Sequence, residues 1–525
     1  MMKKVVSVVL CLVLMLGVIA GCGNNDSGTT SDGRTVIKLM GPFSGENSDI
    51  GRETLKKLED KFNVKIEISA PPGDNFTESV QLSINDSKSR PDAILFNDTN
   101  ESIIRSAVEQ GTFVEITDLV KNAENLQKYT LPSSWAAMDY KQDGKIYGVV
   151  RSTTIRADGF QIRKDWLDKL GITGVEEAKP ITMEKFKEIL EKFSNGDPNG
   201  NGQKVYGLTM WADGANGLIP LYKPTNCIDT LSGYFNMLGW QKAKDGEGYA
   251  YMDPKFSKVD PAFKEFMSFL REAVQNKWID PEWASLNEKK SGDNFSAGKY
   301  GVKYAFPGHV AASETTLKKV DPNAELIWVS GIANPNYENK AVGTTYSTGA
   351  WGGWYILNKD KAAKIVEILD YMLSDEFYYD QLIYGGEGTG FTVDANGDKQ
   401  PTELYLDTTP GKGGMGYNTT FMRRAADAAV FISLKQEPAE RKEIEGWIDI
   451  AVDNLVLSLD NGYVPQVSLE QKFQEYQARM NASISDIVLG KAEVSAYDDA
   501  LAKWYDNMGK EYVEEMNAYI EKNAK

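Results

Sequence analysis

The sequence is poor in the side chains that usually catalyse reactions. It has one histidine, His309, and three cysteines, Cys11, Cys22 and Cys227. Ser-His-Asp triads, Cys-His pairs and multi-histidine zinc sites need either a well-placed histidine or several of them. Only His309 could serve, so most triad and zinc-hydrolase chemistry is excluded and no catalytic residue is assigned.

Aromatic side chains are abundant, at 11% of the chain with 11 tryptophans and 25 tyrosines. Sugars place C–H faces on aromatic rings, and their hydroxyl groups need fixed donors and acceptors. A cleft that combines tryptophan with Asp, Asn and Arg therefore suits a neutral oligosaccharide. Tryptophans in loops or at strand ends are either ligand residues or core residues, and those chosen as ligand candidates are Trp135, Trp211, Trp240, Trp283, Trp351 and Trp354.

Two of the polar candidates follow an expected strand, and two others are arginines. Asn97 and Asp98 come after a buried strand, at the edge where parallel sheets bind their ligands. Arg151 and Arg423 could bridge sugar hydroxyls or bind a uronate carboxylate through paired hydrogen bonds. Tyr346 opens a stretch whose small residues would let the backbone approach a ligand.

The segment DPNGNGQ at 197–203 resembles the first half of an EF-hand calcium loop. Asp197, Asn199, Asn201 and Gln203 supply oxygen atoms at alternate positions, which suits a hard cation. Leu208 stands where an EF-hand has its bidentate glutamate. The segment is therefore either a structural calcium site completed by a remote acid or a metal-free turn, and no other cofactor is expected.

The N-terminal segment has the pattern of an export signal. Lys3 and Lys4 precede an apolar run that ends in small residues before Cys22, and this run is shorter than a membrane-spanning helix. The end of the run resembles a bacterial lipobox, which implies a signal peptide at 1–21 and a lipid on Cys22. The polar segment 22–33 is expected to be a flexible tether, which would hold the protein on the extracellular face of a Gram-positive cell membrane.

The formal charge of −17 argues against nucleic acid as a partner, because such binders carry basic surfaces. Alternating strands and helices predict βαβ units with a mostly parallel sheet, over residues 35–40, 50–62, 64–70, 76–87 and 93–96. A helix is predicted over 162–170, and helices dominate beyond about 421. Ser468 and Gln471 predict a capping box at the start of one of these helices.

Several segments in order resemble the extracellular solute-binding proteins of bacterial ABC importers. The likeness is to the long lipoprotein subgroup that includes binders of alginate oligosaccharides and other oligosaccharides. The segments that carry it are 144–149, 162–171, 197–202, 295–301, 369–376 and 385–393. The resemblance implies a type II periplasmic-binding-protein fold, in which two α/β lobes joined by a hinge close on the ligand.

This resemblance implies boundaries and two more ligand residues. Lobe one would hold 34–150 and 345–395, lobe two 159–327 and 418–525, and the crossings would be 151–158, 328–344 and 396–417. Because residues after the strand at 301–305 face the ligand in sugar-binding relatives, Phe306 and His309 become candidates.

The resemblance implies a lipid-anchored monomer that captures an oligosaccharide and delivers it to an ABC-transporter permease without chemical change. Two alternatives stay open. A surface glycoside hydrolase would also be rich in aromatic and acidic residues and needs only two carboxylates. A receptor for a peptide or a lipid-related solute could use the same fold.

Overall fold

The computed structural model describes most of the chain. The described residues are 28–43, 48–71, 76–86, 90–99, 102–212, 229–344, 349–407, 409, 411–413, 421–425, 427, 432–461 and 463–523. The predicted signal peptide, Cys22 and Tyr346 lie outside them. No helix within these ranges is both long enough and apolar enough to cross a membrane.

Short strands dominate the middle of the protein. They are β1 (Thr35–Met40), β2 (Val64–Ser69), β3 (Ala93–Phe96), β4 (Val149–Ser152), β5 (Gly159–Arg163), β6 (Pro180–Ile181), β7 (Tyr206–Leu208), β8 (Gln241–Lys242), β9 (Tyr251–Met252), β10 (Tyr300–Ala305), β11 (Leu326–Val329), β12 (Gly331–Asn334), β13 (Lys340–Ala341), β14 (Ala350–Ile356), β15 (Phe391–Val393) and β16 (Lys399–Pro401).

Helices surround these strands and dominate the C-terminal part. They are α1 (Asp49–Phe62), α2 (Phe76–Asn85), α3 (Ser102–Glu109), α4 (Thr117–Lys121), α5 (Glu124–Tyr129), α6 (Pro132–Ala136), α7 (Lys164–Lys169), α8 (Met183–Asn195), α9 (Asp229–Tyr234), α10 (Ala262–Gln275), α11 (Glu288–Ser296), α12 (Val310–Leu317), α13 (Ala362–Met372), α14 (Glu403–Leu406), α15 (Pro438–Asp453), α16 (Gln471–Val488), α17 (Ala496–Trp504) and α18 (Lys510–Asn523).

The first sheet has the strand order β2-β1-β3-β14-β4. Strand β1 is parallel to both β2 and β3, and β14 is antiparallel to both β3 and β4. The βαβ units predicted for the N-terminal part are present, with α1 and α2 as their helices. Helix α1 begins where the Ser48 hydroxyl accepts a hydrogen bond from the Gly51 amide, and ends at Asn63 in the left-handed region.

The second sheet has the order β11-β5-β10-β7 and belongs to the other lobe. Its apolar side chains join those of α8, α10 and the C-terminal helices α16 to α18 in one large core. An apolar stripe on α10 is buried there and consists of Phe263, Phe266, Met267 and Leu270. The chain therefore has the α/β fold with a helical C-terminal addition that the sequence predicts.

The lobes depart from the predicted boundaries at two segments. Strands β11 and β12 reach Asn334, inside the expected crossing 328–344, but pair with β5 and β6 of lobe two. Phe421 and Met422, expected in lobe two, are buried in the core of lobe one beside Trp354. The second crossing therefore begins later than residue 328, and the third begins later than residue 396. The remaining boundaries stay predictions.

Three local predictions are wrong. Strand β5 continues to Arg163, so the helix predicted from 162 begins at Lys164. Helix α16 begins at Gln471, and the Ser468 hydroxyl donates to the Pro465 carbonyl oxygen instead of capping it. Within the expected tether, the Gly28 carbonyl oxygen accepts a hydrogen bond from the Val36 amide at 3.0 Å, so its described part, residues 28–33, folds back onto β1.

Arg424 fastens the segment that follows Met422 to lobe one. Its guanidinium donates to the Leu373 carbonyl oxygen and to the Asp375 carboxylate at 2.7 Å. It also lies 3.6 Å from the centroid of the Tyr129 ring. Hydrogen bonds from Tyr129, Arg424 and Lys128 lower the pKa of Asp375 to about 2.

We expect Asp375→Asn to lower the melting temperature at pH 7, because it removes the charge that these three donors stabilise. The folded-state pKa lies below the ordinary value, so the stabilisation is complete above about pH 4 and is lost as the pH falls toward 2. Melting curves at pH 7 and pH 3 should therefore show a smaller gap between variant and wild type at pH 3. Asp486→Asn, at a surface ion pair, is the control. A gap that does not change with pH would contradict this account.

Candidate ligand-binding site

A cavity of about 560 Å³ lies between the two lobes. One wall comes from lobe one, from the loop after β3, helix α3, the end of α6 with the loop that follows it, and the start of β14. The other wall comes from the segment around Tyr463 and from α18. Its lining residues include Asp98, Arg105, Tyr140, Gln142, Tyr463, Gln466, Glu515, Tyr519 and Lys522. A volume of this size is typical of sites for small organic ligands.

Tyr140 provides the aromatic face on the lobe-one wall. Its hydroxyl donates to the Thr99 carbonyl oxygen at 2.8 Å and is also hydrogen-bonded to the Tyr355 hydroxyl. The Arg105 guanidinium lies 5.7 Å from the ring centroid. Tyr140 is half-buried, so these contacts fix the ring while part of it stays open to the cavity.

Two tyrosines form the aromatic part of the opposite wall. The rings of Tyr463 and Tyr519 are parallel within 2°, with their centroids 3.9 Å apart. The Tyr463 hydroxyl donates to the Glu515 carboxylate at 2.7 Å. The same carboxylate accepts a hydrogen bond from the backbone N–H of Gln466. Burial and then the bond to Glu515 raise the pKa of Tyr463 to about 12, so this phenol is neutral at physiological pH.

Gln142 connects the two walls. Its side-chain amide donates to the Tyr463 hydroxyl at 3.1 Å. Gln142 itself belongs to lobe one, whereas Tyr463 packs against the core of lobe two. A hydrogen bond of this kind contributes only about 1 kcal/mol, so the contact holds the lobes together without locking them.

Trp351 is the one candidate tryptophan with a largely open ring, being 40% exposed. The guanidinium carbons of Arg151 and Arg423 lie 4.3 and 4.0 Å from its ring centroid. Arg151 also donates to the Trp351 carbonyl oxygen and to the Asn97 side-chain oxygen, at 3.0 and 2.7 Å. Four of the predicted ligand residues therefore meet here, next to Asp98 and Ala350 of the cavity wall.

A bulge in β14 makes the exposure of Trp351 possible. The register against β4 shifts between Ala350 and Gly353. Gly352 has a φ of +79°, and a Cβ at this position would lie 1.9 Å from the Phe96 carbonyl oxygen. Bulges change the direction of side chains in this way. The Trp351 side chain is therefore exposed, whereas that of Trp354 is buried in the core.

Phe306 and His309 lie together near the crossings. Phe306 is buried, with the Arg156 guanidinium 4.0 Å from its ring centroid and the His309 ring edge-on at 5.1 Å. Arg156 is held by a salt bridge to Asp158 at 2.7 Å. Desolvation and then Arg156 lower the pKa of His309, which favours a neutral imidazole.

Four predicted ligand tryptophans are core residues instead. Trp211, Trp240 and Trp283 are buried in the core of lobe two, and Trp354 is buried in that of lobe one. Trp240 packs against Phe256 and also against Tyr512, which is more than 250 residues away in the sequence. The reason is that distant helices cover these loops and strand ends, and local sequence does not show this.

Trp135 is intermediate between core and cleft. It lies in α6, packs partly against both cores of lobe one and precedes Ala136, which lines the cavity. Its indole N–H is buried and has no hydrogen-bond partner among the residues that the structure describes. Tyr346, which begins the glycine-rich stretch, lies outside the described residues.

The segment 197–203 is a hydrogen-bonded turn. The Asp197 carboxylate accepts the amides of Asn201 and Gly202, and the Asn199 side chain donates to the Gly298 carbonyl oxygen. Lys169 donates to the Pro198 carbonyl oxygen. Leu208 is buried in the core of lobe two, and in the described part of the chain no three His, Cys, Asp or Glu side chains cluster as metal ligands. The residues present therefore do not supply the carboxylates that an EF-hand needs.

The tyrosines of the cavity were not among the predicted ligand residues. Tyr140, Tyr463 and Tyr519 belong to the 25 tyrosines of the chain, and nothing in their local sequence distinguishes them. The position of Tyr140, five residues after Trp135, is the nearest available signal.

Two curated proteins of Bacillus subtilis (strain 168) match the chain over nearly its whole length. One is the polygalacturonan/rhamnogalacturonan-binding protein YtcQ, which is 22% identical over 526 residues, and the other is lipoprotein LipO, which is 21% identical over 524 residues. In both cases the match covers 97% of this chain and 97% of the relative. No family model matches the sequence.

Solved structures of solute-binding proteins have the same fold. An extracellular solute-binding protein from Bifidobacterium longum subsp. infantis has a TM-score of 0.65 at 16% identity, covering 94% of this chain and 99% of its own. The alginate-binding protein AlgQ2 has a TM-score of 0.61 at 17% identity, covering 93% of this chain and 98% of its own. The comparisons confirm the resemblance found in the sequence, and YtcQ, AlgQ2 and the Bifidobacterium protein are all named as binding proteins rather than enzymes.

We expect Gly352→Ala to destabilise the protein by about 3 kcal/mol or more, because a Cβ there clashes with the Phe96 carbonyl oxygen at a positive φ. Gly388→Ala is the matched control. Its φ is +80° and no atom lies within 4 Å of the added Cβ, so it should cost only about 1 kcal/mol. Thermal denaturation measures both, and equal losses would show that the bulge does not need glycine.

We expect calcium to have little effect on stability, because only Asp197 contributes a carboxylate to the segment 197–203. Addition of calcium or of a chelator should move the melting temperature by less than about 1 °C, as expected when no tight ligand binds. An Asp197→Asn variant measured in parallel should respond in the same way. A calcium-dependent rise seen only with Asp197 present would establish a metal site and overturn this expectation.

Proposed function

We propose that this chain is the extracellular solute-binding protein of an ABC importer. In this role it captures an oligosaccharide between its lobes and presents it to the transporter permease. One full-length relative is named a polygalacturonan/rhamnogalacturonan-binding protein, and a structural neighbour is named an extracellular solute-binding protein. The observation that carries the proposal is the cavity of about 560 Å³ whose two walls belong to different lobes. A ligand that contacts both walls stabilises the closed arrangement over the open one.

The chemistry of the walls suits a sugar. Tyr140 faces the cavity from one lobe, and Tyr463 and Tyr519 face it from the other. Phenol rings offer apolar faces for sugar C–H groups and hydroxyls for hydrogen bonds. Arg105 and Lys522 add donors, while Asp98 adds an acceptor. The cavity therefore provides both kinds of contact that an oligosaccharide needs.

Export and anchoring belong to the same proposal. We infer that residues 1–21 are removed and that Cys22 carries a lipid, which holds the monomeric protein on the outer face of a Gram-positive cell membrane. The lipobox-like sequence before Cys22 supports this, and one full-length relative is named a lipoprotein. Mass spectrometry of the membrane-bound protein tests it, since Cys22→Ala should abolish both the lipid and the membrane association.

Calorimetric titration of the purified chain tests the binding function. The panel contains oligomers of galacturonic acid, rhamnogalacturonan, fructose, alginate and mannose-rich N-glycans. We expect one class to bind stoichiometrically, to raise the melting temperature and to be recovered intact. Cleavage of the ligand would favour a glycoside hydrolase, and stabilisation by peptides alone would favour a peptide receptor.

We expect Tyr519→Ala to weaken binding of that glycan about five- to tenfold, because one aromatic face of the cavity is lost. Tyr476→Ala is the matched control. Tyr476 is also half-buried and packs on the core of lobe two, but it does not line the cavity. Equal affinities for Tyr519→Ala and wild type would place the sugar elsewhere.

A further inference from the structure

A second cavity adjoins the first between the lobes. It has a volume of about 370 Å³. Four residues line both cavities, and they are Arg105, Tyr140, Gln142 and Gln466. Because the two cavities share these four residues, they adjoin each other, with these side chains at the boundary between them. The second cavity, named the outer cavity below, is also lined by Val108, Glu109, Lys141 and Leu469. The first cavity is named the inner cavity.

Gln142 lies at the boundary between the two cavities. It has a φ of +54°, a conformation that costs a non-glycine residue about 1 kcal/mol or more. The Asp139 carboxylate accepts the amides of Asp143 and Gly144, which braces the loop in this shape. The strained backbone directs the Gln142 amide to the Tyr463 hydroxyl across the cleft. Strain of this kind persists where surrounding structure holds a residue for a task.

The hydrogen bond from Gln142 to Tyr463 can be exchanged for a bond to a ligand. Gln142 is exposed and its amide is neutral, so the bond contributes only about 1 kcal/mol. A sugar hydroxyl can replace either partner, since it both donates and accepts. A chain of sugars can therefore pass between the walls at this point without leaving a buried polar group unsatisfied.

The outer cavity has the same mixed character as the inner one. Arg105, Lys141 and Gln466 supply donors, and Glu109 supplies an acceptor. Leu469 is 49% exposed and offers an apolar surface. This combination of hydroxyl partners beside an apolar surface suits a sugar ring. The outer cavity also adds about two-thirds to the volume of the inner cavity.

We propose that the outer cavity is an additional subsite, occupied by the outer units of the same oligosaccharide that fills the inner cavity. The ligand is then an extended saccharide that passes Gln142 and leaves the cleft beside Leu469, not a short one enclosed between the lobes. This inference rests on the proposed function, because it requires that the inner cavity binds a sugar.

A ladder of chain lengths tests whether the saccharide extends into the outer cavity. Oligogalacturonides and fructo-oligosaccharides are titrated into the full chain from the disaccharide upward. Once the inner cavity is filled, further units should still raise the affinity by about fivefold in total before a plateau. A plateau at the length that fills the inner cavity would overturn the subsite. Absence of binding at every length would instead contradict the proposed function.

Leu469→Glu tests the outer cavity itself, because it places a carboxylate on the apolar surface beside Glu109. We expect long oligosaccharides to bind about fivefold more weakly, and the shortest binding oligosaccharide to bind as to wild type. Leu457→Glu is the matched control, since Leu457 is 55% exposed and lines neither cavity. Equal effects of Leu469→Glu on short and long ligands, or none on either, would exclude the subsite.

Discussion

The connection between the lobes is the constraint on which the rest of the structure depends. Residues of the expected crossings 151–158 and 328–344 are hydrogen-bonded to other parts of the chain, including the end of α15. The Ala157 amide donates to the Ala451 carbonyl oxygen, and the Gly343 amide donates to that of Asn454. The Thr154 hydroxyl donates to the Asp427 carbonyl oxygen. Because each wall of the cavity belongs to a different lobe, these bonds decide how the walls face each other.

The two walls present tyrosine where tryptophan was expected. Tyr140 and Tyr463 carry hydroxyls that are already hydrogen-bonded within the protein, so the rings are held in place before a ligand arrives. Preorganised rings lose little conformational entropy on binding. The chain instead uses most of the candidate tryptophans to fill the cores, where Trp240 and Trp283 are almost fully buried. Trp351 is the exception, and the bulge at Gly352 explains it.

Regular local patterns predict the fold well. The N-terminal βαβ units and the apolar stripe of α10 follow from alternation and helical periodicity. Local patterns failed where long-range pairing competed with them. Strand β5 keeps Ile162 and Arg163 because β11 pairs with both residues. Ser468 does not cap α16 because its hydroxyl bonds to Pro465 in a preceding turn.

The sequence by itself determined the class of the protein, its βαβ core, its export signal pattern and the scarcity of catalytic side chains. These follow from composition, from periodicity and from an ordered series of short segments. The tertiary structure alone decided which rings line the cavity between the lobes. Tyr140, Tyr463 and Tyr519 meet at one cavity although more than 300 residues separate the first from the second. Burial depends on what packs on a residue from elsewhere in the chain, and local sequence does not contain that information.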